Sequence, residues 1–248
     1  MKIVVAGATG TLGNRVMDEV LTMGHDPEPV SRSSGVDLMT GHGLADKLLG
    51  ASAVIDVSAT SKISTKASIN YFTNATRNLI EAERAAGVPH HVGISIIGAA
   101  QVNANYYAGK AAQEELLLAE ARGWSLLRTT QFHEFAKQLV GHSKVGPLHL
   151  IPTMRSQPIA ADEVATELVK IALGDPCGLA PDLAGPREEN MAELVRQYLK
   201  ATGQARRVIQ VPLPGAWGRG MRDGTLLPPA ETRRGQQTFD EWLAQQKD

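Results

Sequence analysis

The chain's 248 residues are enough to bury a substantial core and suit one large domain, or one domain with a smaller lobe, rather than two independent ones. With 25 Lys and Arg against 26 Asp and Glu, it lacks the charge excess that nucleic acid or an anionic membrane would require. Cys177 is the only cysteine, which excludes an intrachain disulfide and a multi-cysteine metal cage and leads us to expect a cytoplasmic protein. The apolar run Ile3 to Ala6 is too short for a signal peptide. No stretch approaches the roughly 18 uninterrupted apolar residues of a membrane span.

The first predicted element is a strand, "KIVVAG" at 2–7, which runs into "ATGTLG" and then an amphipathic helix from about Thr11. Gly7, Gly10 and Gly13 therefore fall where a strand turns into a helix. Free amides and the positive end of the helix dipole converge there, which favours an anion such as a pyrophosphate. Side chains at Gly7 or Gly10 would hold that group off the backbone, and one at Gly13 would hold the helix off the sheet. The second strand, "EPVSR" at 28–32, ends in Ser31 and Arg32. A ribose-binding acid would stand here in an NAD-preferring protein. A hydroxyl and a guanidinium suit a 2'-phosphate instead, so NADP(H) is expected over NAD(H).

Further strands are predicted at 53–59 ("AVIDVSA"), 90–96 ("HHVGISI") and 124–130 ("WSLLRTT"). Helical segments separate them, and several close at Gly24, Gly87 and Gly123. In the helix before Gly87 the apolar positions Leu79, Ile80, Ala82, Ala85 and Ala86 keep a helical period. Alternation of strands and helices predicts an α/β fold, a Rossmann-type doubly wound parallel sheet. After the fourth strand, "NANYYAGKAAQEELL" places Tyr106 and Lys110 one helical turn apart on one face. An ammonium beside a phenol should lower its pKa towards a usable range, and Ser95, ending the preceding strand, could hold a substrate oxygen. Tyr107 competes with Tyr106 for the acid role or lines the substrate pocket.

Beyond about residue 131 the rhythm changes. Helices are predicted at 162–173 and 190–203, and a short strand near 208–215. The segment Pro212–Gly235, with five glycines and four prolines in 24 residues, reads as an irregular loop in which Trp217 and Met221 either cover a cleft or join the core. "TFDEWLAQQ" reads as a closing helix capped by Thr238, with Phe239, Trp242 and Leu243 inward. Residues 1–131, completed by about 158–175, would form the Rossmann core, with 132–157 and 176–248 a smaller substrate-side lobe. No metal site is expected: "FHEF" lacks the second histidine of a zinc-protease motif, and His90 and His91 point to opposite faces of a strand.

The glycine spacing G-x-x-G-x-x-G resembles that of the extended and atypical short-chain dehydrogenases/reductases, and Ser95, Tyr106 and Lys110 stand in the order of that superfamily. Together with "SRSSGVDL", "VIDVSAT", "LLRTTQFHEF", "QPIAADEVA" and "DLAGPREENMAELVR", these make nearly the whole chain similar to the NmrA-like, NAD(P)H-binding atypical group. The resemblance implies that Gly7, Thr9, Gly10, Thr11 and Leu12 meet the pyrophosphate and that Ser31 and Arg32 meet the 2'-phosphate. It puts Asp37 at the adenine edge, and Val57, Ser58 and Ala59 at the adenosine-side ribose. Lys110 would hold the nicotinamide ribose, Thr130, Gln131 and Phe132 would border the nicotinamide, and His133 would face the substrate cleft.

The function expected is NADPH-dependent hydride transfer to a small carbonyl, imine or quinone-like acceptor, with Tyr106 as proton donor. A redox sensor that binds NADP(H) without turnover is the alternative, and an epimerase or dehydratase that retains its cofactor is a third. The expected partner is a small-molecule substrate, not nucleic acid or membrane, and a homodimer is compatible with the sequence.

Overall fold

The structure is a computed structural model that describes residues 1–204 and 206–246. In chain order its first elements are β1 (Lys2–Ala6), α1 (Thr11–Thr22), β2 (Asp26–Val30), α2 (Leu44–Leu48), β3 (Ala53–Asp56), α3 (Thr65–Ala86), β4 (His91–Ile96), α4 (Ala99–Val102), α5 (Tyr106–Glu120) and β5 (Trp124–Thr129). Helices α6 (Phe135–His142), α7 (Ala161–Leu173), α8 (Met191–Ala201), α9 (Gly215–Arg222) and α10 (Phe239–Ala244) follow. The chain divides into two compact units. Unit 1 comprises Met1–Ser95, Asn103–Arg128 and Asp162–Pro181; unit 2 comprises Ile96–Val102, Thr129–Ala161 and Asp182–Asp248.

Unit 1 is built on a parallel sheet in the order β5-β4-β3-β1-β2, with the short strand Gly178–Leu179 added to β5. From β1 the chain first moves to one side to form β2, then crosses to the other to form β3. This reversal makes the carboxyl ends of β1 and β3 the switch point at which doubly wound sheets bind ligands. β1 lies between two neighbours, and Ile3, Val4 and Val5 are wholly buried, as the uninterrupted apolar run requires of a strand covered on both faces. On one face, Val4, Val30 and Val54 of the sheet pack with Leu44 and Leu48 of α2 and Ala75 and Leu79 of α3.

β2 occupies 26–30 rather than 28–32. Ser31 leaves the sheet because its hydroxyl accepts from Ser34 N at 3.3 Å and starts a 3-10 turn over Arg32–Ser34. Asp26 N donates to Met1 O at 2.9 Å, so by alternation Pro27 and Pro29 turn their nitrogens away from β1. That is tolerable only on an edge strand, because proline cannot donate.

The buried face of α3 is also rotated from the sequence pattern: Phe72, Ala75, Thr76, Leu79, Ile80 and Glu83 are buried, whereas Ala85 is exposed. Glu83 is inside because His91 Nδ1 lies 2.7 Å from its carboxylate. Burial opposes a charge on that imidazole, but Glu83 outweighs it and raises the pKa. His90 instead meets Ser125 Oγ at 2.8 Å. The adjacent histidines thus serve different partners.

In unit 2 the strand Leu148–Pro152 pairs in parallel with Arg207–Val211 and antiparallel with Lys144–Val145. Helix α10 begins as expected at Thr238, whose Oγ1 accepts from Glu241 N while Glu241 Oε2 accepts from Thr238 N. Phe239, Trp242 and Leu243 are buried. Pro212–Gly235 is not an irregular loop: it contains α9 and the strand Arg233–Arg234. Gly218 and Gly220 let α9 lie against Leu213 and Val102, where a Cβ would come within 1.9 Å and 2.5 Å. The glycines here serve packing. Met221 is core, and Trp217 is half-buried.

Helices α3 and α5 of unit 1 pack together at Gly109. A Cβ there would fall 2.7 Å from the Phe72 ring and 2.8 Å from the Ser68 backbone. In an isolated helix Gly→Ala gains about 1 kcal/mol. Overpacking costs about 1–3 kcal/mol, and the backbone contact cannot be relieved by rotating a side chain. Gly109→Ala should therefore lower stability, read as a fall in the denaturation midpoint; a rise would show that α3 and α5 can separate freely.

Candidate functional site

The glycine turn sits at the switch point. Gly7 N donates to Val30 O at 2.9 Å, Gly10 N donates to Gly7 O at 2.9 Å, and helical bonding begins with Asn14 N to Gly10 O at 3.0 Å. No side chain caps Gly10, and the first turn of α1 contains no acid. The amides of Thr11, Leu12 and Gly13 thus have no partner within the helix and form the positive end of its dipole. Gly7 has φ +86°, and a Cβ on it would lie 2.8 Å from Val57 O and from Ser58 N and Cα. A Cβ on Gly13 would come within 2.0 Å of Gly7 O. Gly13 is therefore required by the turn itself, not by contact between helix and sheet. Gly10 is less constrained, its Cβ meeting Gly7 O at 3.2 Å. Thr9 is exposed, Thr11 half-buried and Leu12 buried.

At the end of β2, Ser31 spends its hydroxyl on the turn, contacting Ser33 Oγ at 2.8 Å as well as Ser34 N. Arg32 is exposed. Asp37 is exposed too, and its Oδ1 accepts from Met39 N at 2.8 Å. The loop after β3 continues the sheet through Val57 N to Ala6 O at 3.0 Å; Val57 and Ser58 are buried and Ala59 is exposed. Gly7, Arg32 and Val57–Ala59 thus follow the carboxyl ends of three adjacent strands.

Tyr106 and Lys110 share the first turns of α5, but their environments differ from the sequence expectation. The phenol of Tyr106 is pushed up from its ordinary pKa, first by burial and then by Tyr71, Asp56 and Tyr107. It is held neutral rather than made more acidic. Lys110 is buried, its Nζ donating to Gln113 Oε1 and lying 4.6 Å from the centre of the Phe72 ring. Burial lowers its pKa to about 8, against opposition from Asp56 and Glu114. Ser95 is 1 % exposed, and its hydroxyl has no partner among the described residues. Tyr107 is buried. The residue before the pair, Asn105, has φ 55° and ψ −129°, a strained backbone that Thr65 Oγ1 secures by accepting from its N-H at 2.9 Å.

The remaining predicted residues belong to unit 2. Thr130 is buried and its hydroxyl donates to Gln157 O at 2.5 Å. Gln131 Oε1 accepts from Ser156 Oγ at 3.2 Å, and Phe132 bridges to Ile159. His133 corrects the expectation of a cleft-facing group. It is 1 % exposed, its Nε2 donates to Gln237 O at 3.0 Å, and its ring packs against Phe239 and Trp242. Burial lowers its pKa, so it is a neutral core imidazole. Its neighbours come from α10, more than a hundred residues away, and no local pattern announces them.

Sequence reasoning missed Asp56 and Gln113. Asp56 is 1 % exposed and accepts from Ser58 N and Gln113 Nε2, both at 2.9 Å. A signal was present for each: Asp56 is the lone charge in "AVIDV", and Gln113 stands three residues after Lys110 on the same helix face.

Comparison with known proteins places this architecture among Rossmann-type structures. No protein-family model and no curated protein matches the sequence. Among solved structures, an NADPH-dependent quinone oxidoreductase from Escherichia coli, complexed with NADPH, is 16% identical with a TM-score of 0.73, over 99% of this chain and 100% of that one. A nucleoside-diphosphate-sugar epimerase from Staphylococcus aureus is 14% identical with a TM-score of 0.70, over 98% and 99%. A short-chain dehydrogenase/reductase superfamily protein from Agrobacterium tumefaciens with bound NAD is 17% identical with a TM-score of 0.68, over 99% and 95%. At these identities the likeness establishes the fold: a mostly parallel central sheet flanked by helices, of Rossmann type.

Proposed function

We propose that the chain is an oxidoreductase that binds NADP(H) in unit 1 and exchanges hydride with a small carbonyl, imine or quinone-like acceptor. The observation that carries this reading is the amino end of α1: uncapped, free of acids, cleared of side chains by Gly7 and Gly13, and set at the switch point. Similar folds that hold NADPH or NAD support it. The amides around Thr9, Gly10, Thr11 and Leu12 would hold the diphosphate. Exposed Arg32, beside Ser31, would take the 2'-phosphate, Asp37 the adenine edge, and Val57–Ala59 the adenosine-side ribose. Lys110 would donate to the nicotinamide ribose, unpartnered Ser95 Oγ would donate to the acceptor oxygen, and Tyr106 would supply the proton. The cofactor, when bound, supplies the hydride.

Two observations favour a second reading, binding without turnover as a redox sensor. The Tyr106 phenol is raised rather than lowered, and Lys110 is engaged by Gln113. An acceptor panel separates the two: the first requires NADPH consumption with at least one acceptor, the second none with any.

Titration by NADPH fluorescence should show binding tighter than that of NADH. Arg32→Ala should weaken NADPH by about 10–100-fold, the worth of charge-assisted hydrogen bonds to a phosphate, and leave NADH nearly unchanged. Equal losses for both would remove Arg32 from the 2'-phosphate. With an acceptor in hand, Tyr106→Phe should lower kcat by about 10²–10⁴ at unchanged cofactor affinity; undiminished turnover would take the phenol out of the proton path. Binding should also weaken as pH rises through about 8, where the Lys110 ammonium loses its proton. Lys110→Met should bind more weakly below that pH and lose the step.

A further inference from the structure

Asp56 is a buried carboxylate with no part in that reading. It ends a strand whose other members are Ala53, Val54 and Ile55, where a lone charge is stripped of its hydration and must be compensated. Both oxygens are compensated: Oδ1 by the backbone amide of Ser58 in the loop after β3, and Oδ2 by the Gln113 side chain on α5. Gln113, itself 3 % exposed, accepts from Lys110 Nζ at its other end. A side-chain amide accepts at its oxygen while donating at its nitrogen. It can therefore join an ammonium to a carboxylate across one residue.

The charges around this chain leave Asp56 as the counterion. From its own helix Lys110 feels Glu114, but Arg128 engages that carboxylate through Nε at 3.0 Å and Nη2 at 2.5 Å. From α3 the ring of Phe72 lies beneath its Nζ, 4.6 Å away at the ring centre. Asp56 acts also on Tyr71, Tyr106 and His91, and His91 is already paired with Glu83.

We propose that Asp56 and Gln113 are positioning residues that fix the Lys110 ammonium and the loop after β3 in one register, so that one carboxylate sets both ribose contacts of a nicotinamide nucleotide. The inference rests on the dinucleotide reading for its ligand and on the hydrogen-bonded chain for its mechanism. Asp56→Asn keeps the shape but breaks the pattern. If the new oxygen serves Ser58 N, its NH₂ confronts the NH₂ of the Gln113 carboxamide; if Gln113 flips to accept it, Lys110 faces a donor.

The test uses the full chain with ¹³C-labelled lysine and no cofactor, the Lys110 signal being assigned by its loss in Lys110→Met. In the unsubstituted protein Lys110 should titrate near pH 8. Asp56→Asn should move that midpoint down by about one unit or more, since an opposite charge that favours the ammonium has gone. Gln113→Met, which leaves both charges in place and guards against misfolding of the first variant, should move it the same way. Both variants should bind NADPH about tenfold or more weakly. A midpoint unmoved in both variants overturns the link between Asp56 and Lys110. A moved midpoint with undiminished NADPH affinity overturns the positioning role. Failure of the unsubstituted chain to bind NADPH overturns the dinucleotide reading and the ligand named here, a result separate from the cofactor-free titration.

Discussion

Between Gly13 and the carbonyl oxygen of Gly7 there is room for a hydrogen and not for a carbon. That close approach bends the chain from β1 into α1 within four residues, and on it depends the exposure of the helix's first amides. The same turn abuts the loop after β3, because Gly7 touches the Val57–Ser58 backbone. Two strand ends are thus locked together at the sheet's reversal point. A methyl group at either glycine would have to move backbone, and a backbone shift here displaces every amide aimed at the anion position.

A second close approach shapes the other end of the site. Gly109 brings α5 onto Ser68 and Phe72 of α3, and the next residue, Lys110, is thereby laid over the Phe72 ring, cut off from water. An ammonium so placed tends to lose its charge, and Asp56 opposes that tendency through Gln113. The balance leaves Lys110 with a pKa of about 8, able to keep its proton at neutral pH. Replacing such buried groups with apolar ones is often no worse for stability, so their presence argues for a role in orientation.

What could be read from the sequence was whatever is local. The five strands of the parallel sheet, α1, α3, α5 and the capped α10 followed from periodicity, turn residues and the Thr238 to Glu241 capping pair. The glycine turn was legible because strand, turn and helix are contiguous. Errors arose where a distant partner decides the outcome. Glu83 is inside because His91 lies on the next strand, and His133 is inside because α10 returns beneath it. Glycines 218 and 220 suggested an irregular loop but act as spacers against Leu213 and Val102. The Tyr106 phenol was expected to feel an ammonium; it is governed by burial, which only the packed structure reveals. Asp56 and Gln113 were overlooked because their meaning lies in joining β3 to α5.

The two prolines of β2 have an effect that reaches beyond the fold. On the outer side of that strand the chain offers carbonyls and, at Pro27 and Pro29, no hydrogens to match them. A strand from another molecule that drew alongside would find every second bond of the ladder missing. The flank of the sheet at β2 is therefore a poor template for an added strand.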